Sequence, residues 1–254
     1  MLKNGEIKIG DKINITVPTG NFGNILAAYY AKTMGLPVNK LICASNINNV
    51  LTEFIKTGVY DKNRKFHTTI SPSMDILISS NLERLLYHLS DGNDALIAEY
   101  MSKLSSDGKY KVNDEIFNKI KDLFYADCAS DDETKQTINK INKAYGYTAD
   151  THTAVALNVY DKYVEETGDK TKTVIASTAN PYKFNESVIN AITGEGSCEG
   201  LDEFELLNKL CDISSMEIPV SLAELKNKTV RFDSVCNKED MQDVTSDFLI
   251  NKLK

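Results

Sequence analysis

The sequence predicts an α/β fold with a parallel sheet and a helical insertion. A β-branched run at residues 13–17 is followed by a loop, a helical segment and a second apolar run at 41–44, which is the order of a βαβ unit. Between residues 81 and 124, apolar residues recur at i, i+3 and i+4, a spacing typical of helices. With 254 residues, 42% of them hydrophobic and 26% charged, the chain is long enough to bury a core and has a globular composition.

The first third of the chain is assigned from composition and from its helix-ending residues. β-branched residues favour strands, whereas the Ala-rich run Ile-Leu-Ala-Ala-Tyr-Tyr-Ala favours a helix, which Gly35 and Pro37 end. Asn48 is the predicted N-cap of the next helix, and Gly58 ends that helix. The predicted elements in chain order are a strand at 13–17, a loop at 18–24, a helix at 25–34, a strand at 41–44 and a helix at 50–56.

The rest of the chain is predicted to be mostly helical, with the insertion at about residues 75–125. Gly92 and Gly108 separate its helices. An acidic run at 131–133 opens the helix that follows, because the N-terminal turn of a helix favours negative charge. After Gly194 the sequence is rich in loops. The predicted elements are helices at 81–89, 95–104, 114–124, 134–145 and 151–166, a strand at 173–176, and helices at 184–192 and 202–210.

Charge and residue content exclude several classes of protein. The formal net charge is −7 and no cluster of Lys or Arg is present, which argues against binding to nucleic acid or to an anionic membrane. No segment approaches the ~20 apolar residues of a membrane span, and the N-terminus has no apolar run typical of a secretion signal. Five scattered cysteines and three histidines favour neither a disulfide framework nor a metal site, so we expect a cytoplasmic protein without a metal.

The strongest chemical feature is the sequence Gly-Asn-Phe-Gly-Asn at residues 20–24, between a buried strand and a helix N-terminus. Free backbone N–H groups and the helix dipole attract an anion at such a position, and glycine lets the backbone approach a phosphate closely. The alternative is an ordinary βα turn that uses glycine for its dihedral angles. The loop matches neither the G-x-x-x-x-G-K-[ST] nor the G-x-G-x-x-G motif, so we expect a smaller phosphorylated ligand.

Two further positions carry chemistry that depends on their surroundings. Ser177 and Thr178 follow a predicted strand, at the sheet edge where α/β proteins bind ligands. A helix cap or a local turn ahead of Pro181 is nevertheless the role that their position alone favours. His152 lies at a predicted helix start with Asp150 as the cap, and we expect a structural role for it.

Seven strings of the sequence, in order, resemble the threonine synthases of bacteria and fungi, which are pyridoxal 5'-phosphate (PLP) enzymes of the tryptophan-synthase-β-like fold. The resemblance implies a three-layer parallel sheet of PLP fold type II, incomplete in this chain. Threonine synthases convert O-phosphohomoserine and water into threonine and phosphate, so the resemblance implies a part in this reaction. The strings lie at residues 18–24, 25–37, 44–49, 71–75, 130–134, 150–154 and 177–184.

The resemblance also implies roles for individual residues. It assigns the Thr178 hydroxyl to the pyridine nitrogen of PLP, and the backbone amides of five residues to the cofactor phosphate. Asn46 and Asn48 are candidates, from their position only, for binding the phosphate of the substrate. The five phosphate-binding residues are Gly20, Asn21, Phe22, Gly23 and Asn24.

The family places its Schiff-base lysine in an N-terminal half that precedes the strand beginning here at Ile13. No residue of the chain matches the surroundings of that lysine; Lys12 lacks the flanking residues, and Lys183 corresponds to a different lysine of the family. We therefore expect residues 1–254 to be the C-terminal part of a PLP-dependent catalytic domain, without a catalytic lysine and inactive alone. The expected partners are O-phosphohomoserine and the N-terminal half of the enzyme.

Two alternatives remain open at the level of the sequence. The chain could belong to another PLP enzyme of fold type II, such as a dehydratase or a different synthase. It could also be a non-catalytic remnant that binds a phosphorylated ligand or a partner protein.

Overall fold

A computed structural model describes residues 1–231 and 234–252. The chain divides into two units, Met1–Glu217 and Ile218–Lys254. The second unit contains the helices α10 (Val220–Ala223) and α11 (Met241–Lys252). The first unit contains β1 (Ile13–Pro18), α1 (Gly23–Thr33), β2 (Val38–Ser45), α2 (Val50–Thr57), β3 (Val59–Asp61), α3 (Leu82–Leu89), α4 (Asp94–Ser106), β4 (Lys109–Lys111), α5 (Asp114–Leu123), β5 (Phe124–Cys128), α6 (Asp131–Tyr145), α7 (Thr151–Thr167), β6 (Thr173–Ile175), α8 (Asn185–Thr193) and α9 (Glu203–Ser214).

Four parallel strands form the central sheet in the order β5–β2–β1–β6. On one side of β1, Ile15 lies opposite Leu41 of β2, and on the other side it lies opposite Val174 of β6. Because parallel strands end at the same edge of a sheet, the loops that follow β1, β2, β5 and β6 gather there. This edge carries the predicted phosphate loop. No helix within the described ranges is both long enough and apolar enough to cross a bilayer.

Helices cover both faces of the sheet. Successive side chains of a strand point to opposite faces. Leu41 and Cys43 of β2 belong to the apolar cluster built with α1, α2 and the helices of the middle segment. Ile42 and Ala44 lie in a second cluster with Val155 of α7. Burial of both faces gives three layers and confirms the predicted parallel α/β fold class.

The segment predicted as a helical insertion shares the core of the sheet. Leu85 of α3 and Ile116 and Ile120 of α5 are at most 1% exposed, and they lie in the same cluster as Leu41 and Phe54. The three helices predicted between residues 81 and 124 are confirmed as α3, α4 and α5. Packing against the sheet buries their apolar faces and stabilises helices that are short by themselves.

Three strands differ from the prediction. The sequence predicts a helix through Phe124, whereas α5 ends at Leu123 and β5 begins at the next residue. No glycine or proline separates α5 from β5, so the sequence gives no local sign of the change. β3 and β4 have three residues each, too few to show an alternating pattern. They pair as an antiparallel ribbon beside the sheet's helical layer.

The helix-start predictions at Asp150 and at the acidic run are confirmed, and the one at Asn48 is wrong. Asp150 caps α7 as predicted. Ser130 caps α6, and Glu133 completes a reciprocal capping box at the predicted acidic turn. Asn48 does not cap α2, because the N-cap position is Asn49.

Candidate functional site

A cavity of about 270 Å³ lies where β1 ends and α1 begins. Within the described part of the chain, no carboxylate side chain lines it, so the charge of its wall favours an anion. The wall also includes a turn at 73–74, His152 and Lys183. The structure brings together in this wall all six residues that the family resemblance assigns to PLP: Gly20, Asn21, Phe22, Gly23, Asn24 and Thr178.

The loop at residues 20–24 presents backbone donors that have no protein acceptor. The N–H of Thr19 donates to the carbonyl oxygen of Ala44 at 2.8 Å, which continues the β1–β2 pairing. Among the described residues, none accepts a hydrogen bond from the five N–H groups of residues 20–24. The last of these donors belong to the first turn of α1, where the helix dipole adds positive potential. Such a run of free N–H groups is a concave anion-binding site.

Two side chains from the following segment orient the loop. The Ser79 hydroxyl donates to the carbonyl oxygen of Gly20 at 2.8 Å, and the Asn81 amide donates to that of Asn21 at 2.6 Å. In a trans peptide the N–H points opposite to the C=O. Fixing these two carbonyl groups therefore turns the N–H groups of Asn21 and Phe22 away from Ser79 and Asn81. No sequence pattern marks these two residues, because each acts on a loop about 60 positions earlier.

Phe22 anchors the turn through its buried ring. Its backbone is left-handed, with φ 62° and ψ 8°, which is uncommon for a residue other than glycine and costs about 1 kcal/mol or more. Its ring is 1% exposed and packs against Phe124 with the ring centres 5.8 Å apart. The burial of this ring offsets the backbone strain.

α1 has no acidic residue in its first turn, unlike α2 to α6, so no side chain of its own neutralises the positive helix end.

The two glycines of the loop are required for different reasons. A Cβ on Gly20 would lie 2.7 Å from the carbonyl oxygen of Ser73 and 3.2 Å from the Cα of Met74. Gly20 therefore permits close packing of two backbones, in addition to any approach of a phosphate. A Cβ on Gly23 would meet only the amide nitrogen of Asn81, at 3.8 Å, which is an ordinary contact. The protein itself can accommodate a side chain at Gly23.

Thr178 follows β6 and also lines the cavity, although it lies far from the loop at residues 20–24 in the sequence. The side chain of Asn180, not that of Ser177 or Thr178, caps the following 3-10 turn by accepting from the N–H of Tyr182. The hydroxyl oxygens of Ser177 and Thr153 lie within hydrogen-bond distance, at 3.2 Å. Within the described ranges, the Thr178 hydroxyl has no protein partner, so it is available to a ligand.

His152 connects α7 to the cavity wall. Its Nε2 accepts from the backbone N–H of Ser73 at 3.2 Å, so the proton of the neutral ring is on Nδ1. Nδ1 lies 3.5 Å from Oδ1 of Asp150, and the ring packs on Phe184 with the ring centres 4.8 Å apart. These contacts agree with the structural role expected for His152. They also fix the turn at 73–74 against the loop at residues 20–24.

Asn46 and Asn48 are occupied by contacts within the protein. The amide nitrogen of Asn46 donates to the Thr69 hydroxyl at 2.9 Å and to Asp75 Oδ1 at 2.7 Å. The amide nitrogen of Asn48 donates to Asp75 Oδ1 at 3.0 Å and to the carbonyl oxygen of His67 at 2.8 Å. Neither residue lines the cavity. Contrary to the expectation from position, their side chains are not free to bind a substrate phosphate; they hold the segment that carries the turn at 73–74.

Comparison with known proteins gives a consistent result. The family described as "Threonine synthase, C-terminal" matches residues 153–246. Threonine synthase-like 1 of Homo sapiens is 43% identical over 193 residues, which cover 76% of this chain and 26% of the human protein. The crystal structure of threonine synthase from yeast has a TM-score of 0.79 at 32% identity, covering 94% of this chain and 48% of the yeast chain. The crystal structure of PLP-bound threonine synthase from Brucella melitensis has a TM-score of 0.70 at 34% identity, covering 85% of this chain and 44% of that chain.

These matches extend over most of this chain but over less than half of each relative. The chain spans between 26% and 48% of the length of these three proteins. Sequence and structure therefore agree: the chain has the sequence pattern and the parallel α/β fold of the C-terminal portion of threonine synthases.

Proposed function

We propose that this chain is the PLP-binding C-terminal part of a cytoplasmic threonine synthase, which converts O-phosphohomoserine and water into threonine and phosphate. The observation that carries the proposal is the set of five free N–H groups at residues 20–24, at the wall of a cavity without carboxylates. The likeness to the PLP-bound enzyme from Brucella melitensis supports the choice of cofactor.

The residues of the cavity fit the two ends of this cofactor. The N–H groups of residues 20–24 would bind the phosphate, because they combine hydrogen bonding with the positive end of α1. The Thr178 hydroxyl would bind the pyridine nitrogen. When bound, PLP supplies an electron sink for bond breaking in an amino acid. A neutral hydroxyl at the ring nitrogen stabilises less positive charge there than a carboxylate would, and this moderates the electron sink.

We propose further that a second polypeptide segment supplies the lysine and covers the open edge of the sheet. β6 is an edge strand, and Val174 is 39% exposed although it lies within the sheet. Beside it lies an apolar groove of about 340 Å³. The greater length of the relatives supports this proposal, since they contain sequence that this chain does not match. The groove is lined by Ile141, Tyr145, Tyr147, Thr153, Leu157, Ile175 and Ser177.

A cofactor titration tests the proposed function. The 254-residue chain is titrated with PLP, treated with borohydride and digested for mass spectrometry. We expect one equivalent of PLP, displaced by excess inorganic phosphate, and no single lysine labelled in stoichiometric amount. Threonine should form from O-phosphohomoserine only after the N-terminal half of a threonine synthase is added. Absence of PLP binding would contradict the cofactor assignment, and stoichiometric labelling of one lysine with turnover by the chain alone would contradict the need for a second segment.

A further inference from the structure

Lys183 brings a positive charge to the cavity that the proposed cofactor contacts do not use. Among the described residues, Lys183 is the lysine or arginine that lines the cavity. No carboxylate of the described residues forms an ion pair with it. Its ammonium nitrogen lies 5.8 Å from the centre of the Phe184 ring, which itself packs on His152. An unpaired ammonium in the same cavity wall as the free N–H donors makes that wall attractive to a second anion.

The backbone around Lys183 is held by contacts on both sides, which places the base of this exposed side chain at the cavity wall. Lys183 lies in the 3-10 turn Pro181–Phe184, and its N–H donates to the carbonyl oxygen of Asn180 at 2.9 Å. The neighbouring Tyr182 is 3% exposed, and its hydroxyl donates to the carbonyl oxygen of Met216 at 2.5 Å. The turn is therefore fixed by a buried ring on one side of Lys183 and by the His152 contact on the other.

The number of donors argues that Lys183 serves a different anion from the loop. A phosphate monoester has three terminal oxygens, and the five N–H groups at residues 20–24 already provide a donor for each. A phosphorylated amino acid substrate carries a second phosphate, which must lose water on entering the cavity. A lysine ammonium is a compact charge that offsets this cost for a phosphate.

We propose that Lys183 is a substrate-binding residue that recognises the phosphate group of a phosphorylated amino acid, at a subsite beside the cofactor. This inference rests on the proposed function, because it assumes that the loop binds the phosphate of PLP. The cavity then binds two phosphates: one on the backbone donors at residues 20–24, and one on the ammonium group of Lys183.

The test compares three variants of the chain: Lys183→Gln, Lys183→Arg and the control Lys65→Gln, which removes an exposed lysine that does not line the cavity. PLP affinity is measured by absorbance. Inorganic phosphate is then titrated by calorimetry in the presence of a large, saturating excess of PLP, and the absorbance is used to confirm that the cofactor stays bound. Lys183→Gln should weaken phosphate binding about tenfold or more and change PLP affinity less than threefold. Lys183→Arg and Lys65→Gln should resemble the wild type.

Other outcomes separate this inference from the proposed function. Equal phosphate affinity of Lys183→Gln and the wild type would contradict the inference, as would an equal loss of PLP affinity, which would assign Lys183 to the cofactor phosphate. If the wild-type chain binds no PLP, the proposed function fails. The inference about Lys183 is then tested in the cofactor-free chain. There the wild type should bind two equivalents of phosphate and Lys183→Gln only one. Binding of two equivalents by Lys183→Gln would contradict the inference.

Discussion

Replacing Gly23 with aspartate is expected to weaken PLP binding about 100-fold, while the free energy of unfolding stays within about 1 kcal/mol of the wild type. The new carboxylate would lie beside the free N–H groups and repel the phosphate, at a cost of about 3 kcal/mol for charges a few ångströms apart near a protein surface. The fold should tolerate the change, because a Cβ at Gly23 meets only Asn81 Nδ2 at 3.8 Å. A negative charge in the first turn of a helix is also favourable. Absorbance titration with PLP and urea unfolding measure the two quantities.

Two further variants control for charge and for packing. Asn118→Asp makes the same change of charge at an exposed position of α5 and should leave PLP affinity unchanged. Gly20→Ala should lower both PLP affinity and stability, the latter by about 2 kcal/mol, because its Cβ would lie 2.7 Å from the Ser73 carbonyl oxygen. A PLP affinity of Gly23→Asp within threefold of the wild type would show that the loop does not bind the phosphate.

Replacing Asp150 with alanine is expected to lower the free energy of unfolding by about 3 kcal/mol. Asp150 is 1% exposed, and its carboxylate accepts hydrogen bonds from the N–H groups of His152 and Thr153 and from the Thr153 hydroxyl. Its loss leaves these donors buried without an acceptor, and it removes the cap of the helix that covers one face of the sheet. The matched control is Asp202→Ala at the exposed N-cap of α9, where a loss of only about 1 kcal/mol is expected in urea unfolding.

The contribution of Asp150 should also depend on pH. Burial raises the pKa of Asp150, but hydrogen bonds from His152 and Thr153 lower it by more, so that the pKa lies below its ordinary value. The stability from its charged form is therefore complete above the unfolded-state pKa of about 4 and is lost as the pH falls through the lower folded-state pKa. The stability difference between the wild type and Asp150→Asn should shrink on acidification through this range. A difference that is constant from neutral to acidic pH would contradict this account.

Local patterns were sufficient to predict the elements on which the site depends. The loop at residues 20–24 is recognisable because glycines interrupt the sequence between a β-branched run and an Ala-rich run. The cap at Asp150 is recognisable because its partners are two and three residues away. In both places the physical cause lies within a few residues, so the sequence alone contains it.

Contacts between distant parts of the chain explain what the sequence did not reveal. Ser79 and Asn81 orient a loop 60 residues earlier, and their own neighbourhood looks like an ordinary helix start. Asn48 has the residue type of a helix cap, but a strand-end position lets it reach the segment at 67–75 instead. β5 is a strand because it pairs with β2. The residues up to Phe124 have helical spacing and do not reveal that pairing.

The central claim is that backbone N–H groups of the loop bind the phosphate of PLP, and amide NMR tests it most directly. A chain labelled with 15N-glycine and 15N-phenylalanine reports on Gly20, Phe22 and Gly23, with Gly146 at the end of α6 as an internal control. On addition of PLP, the three loop amide protons should move downfield, as expected when they donate to an anion, and Gly146 should not move. Saturation with PLP that leaves all three loop resonances unshifted would contradict the claim.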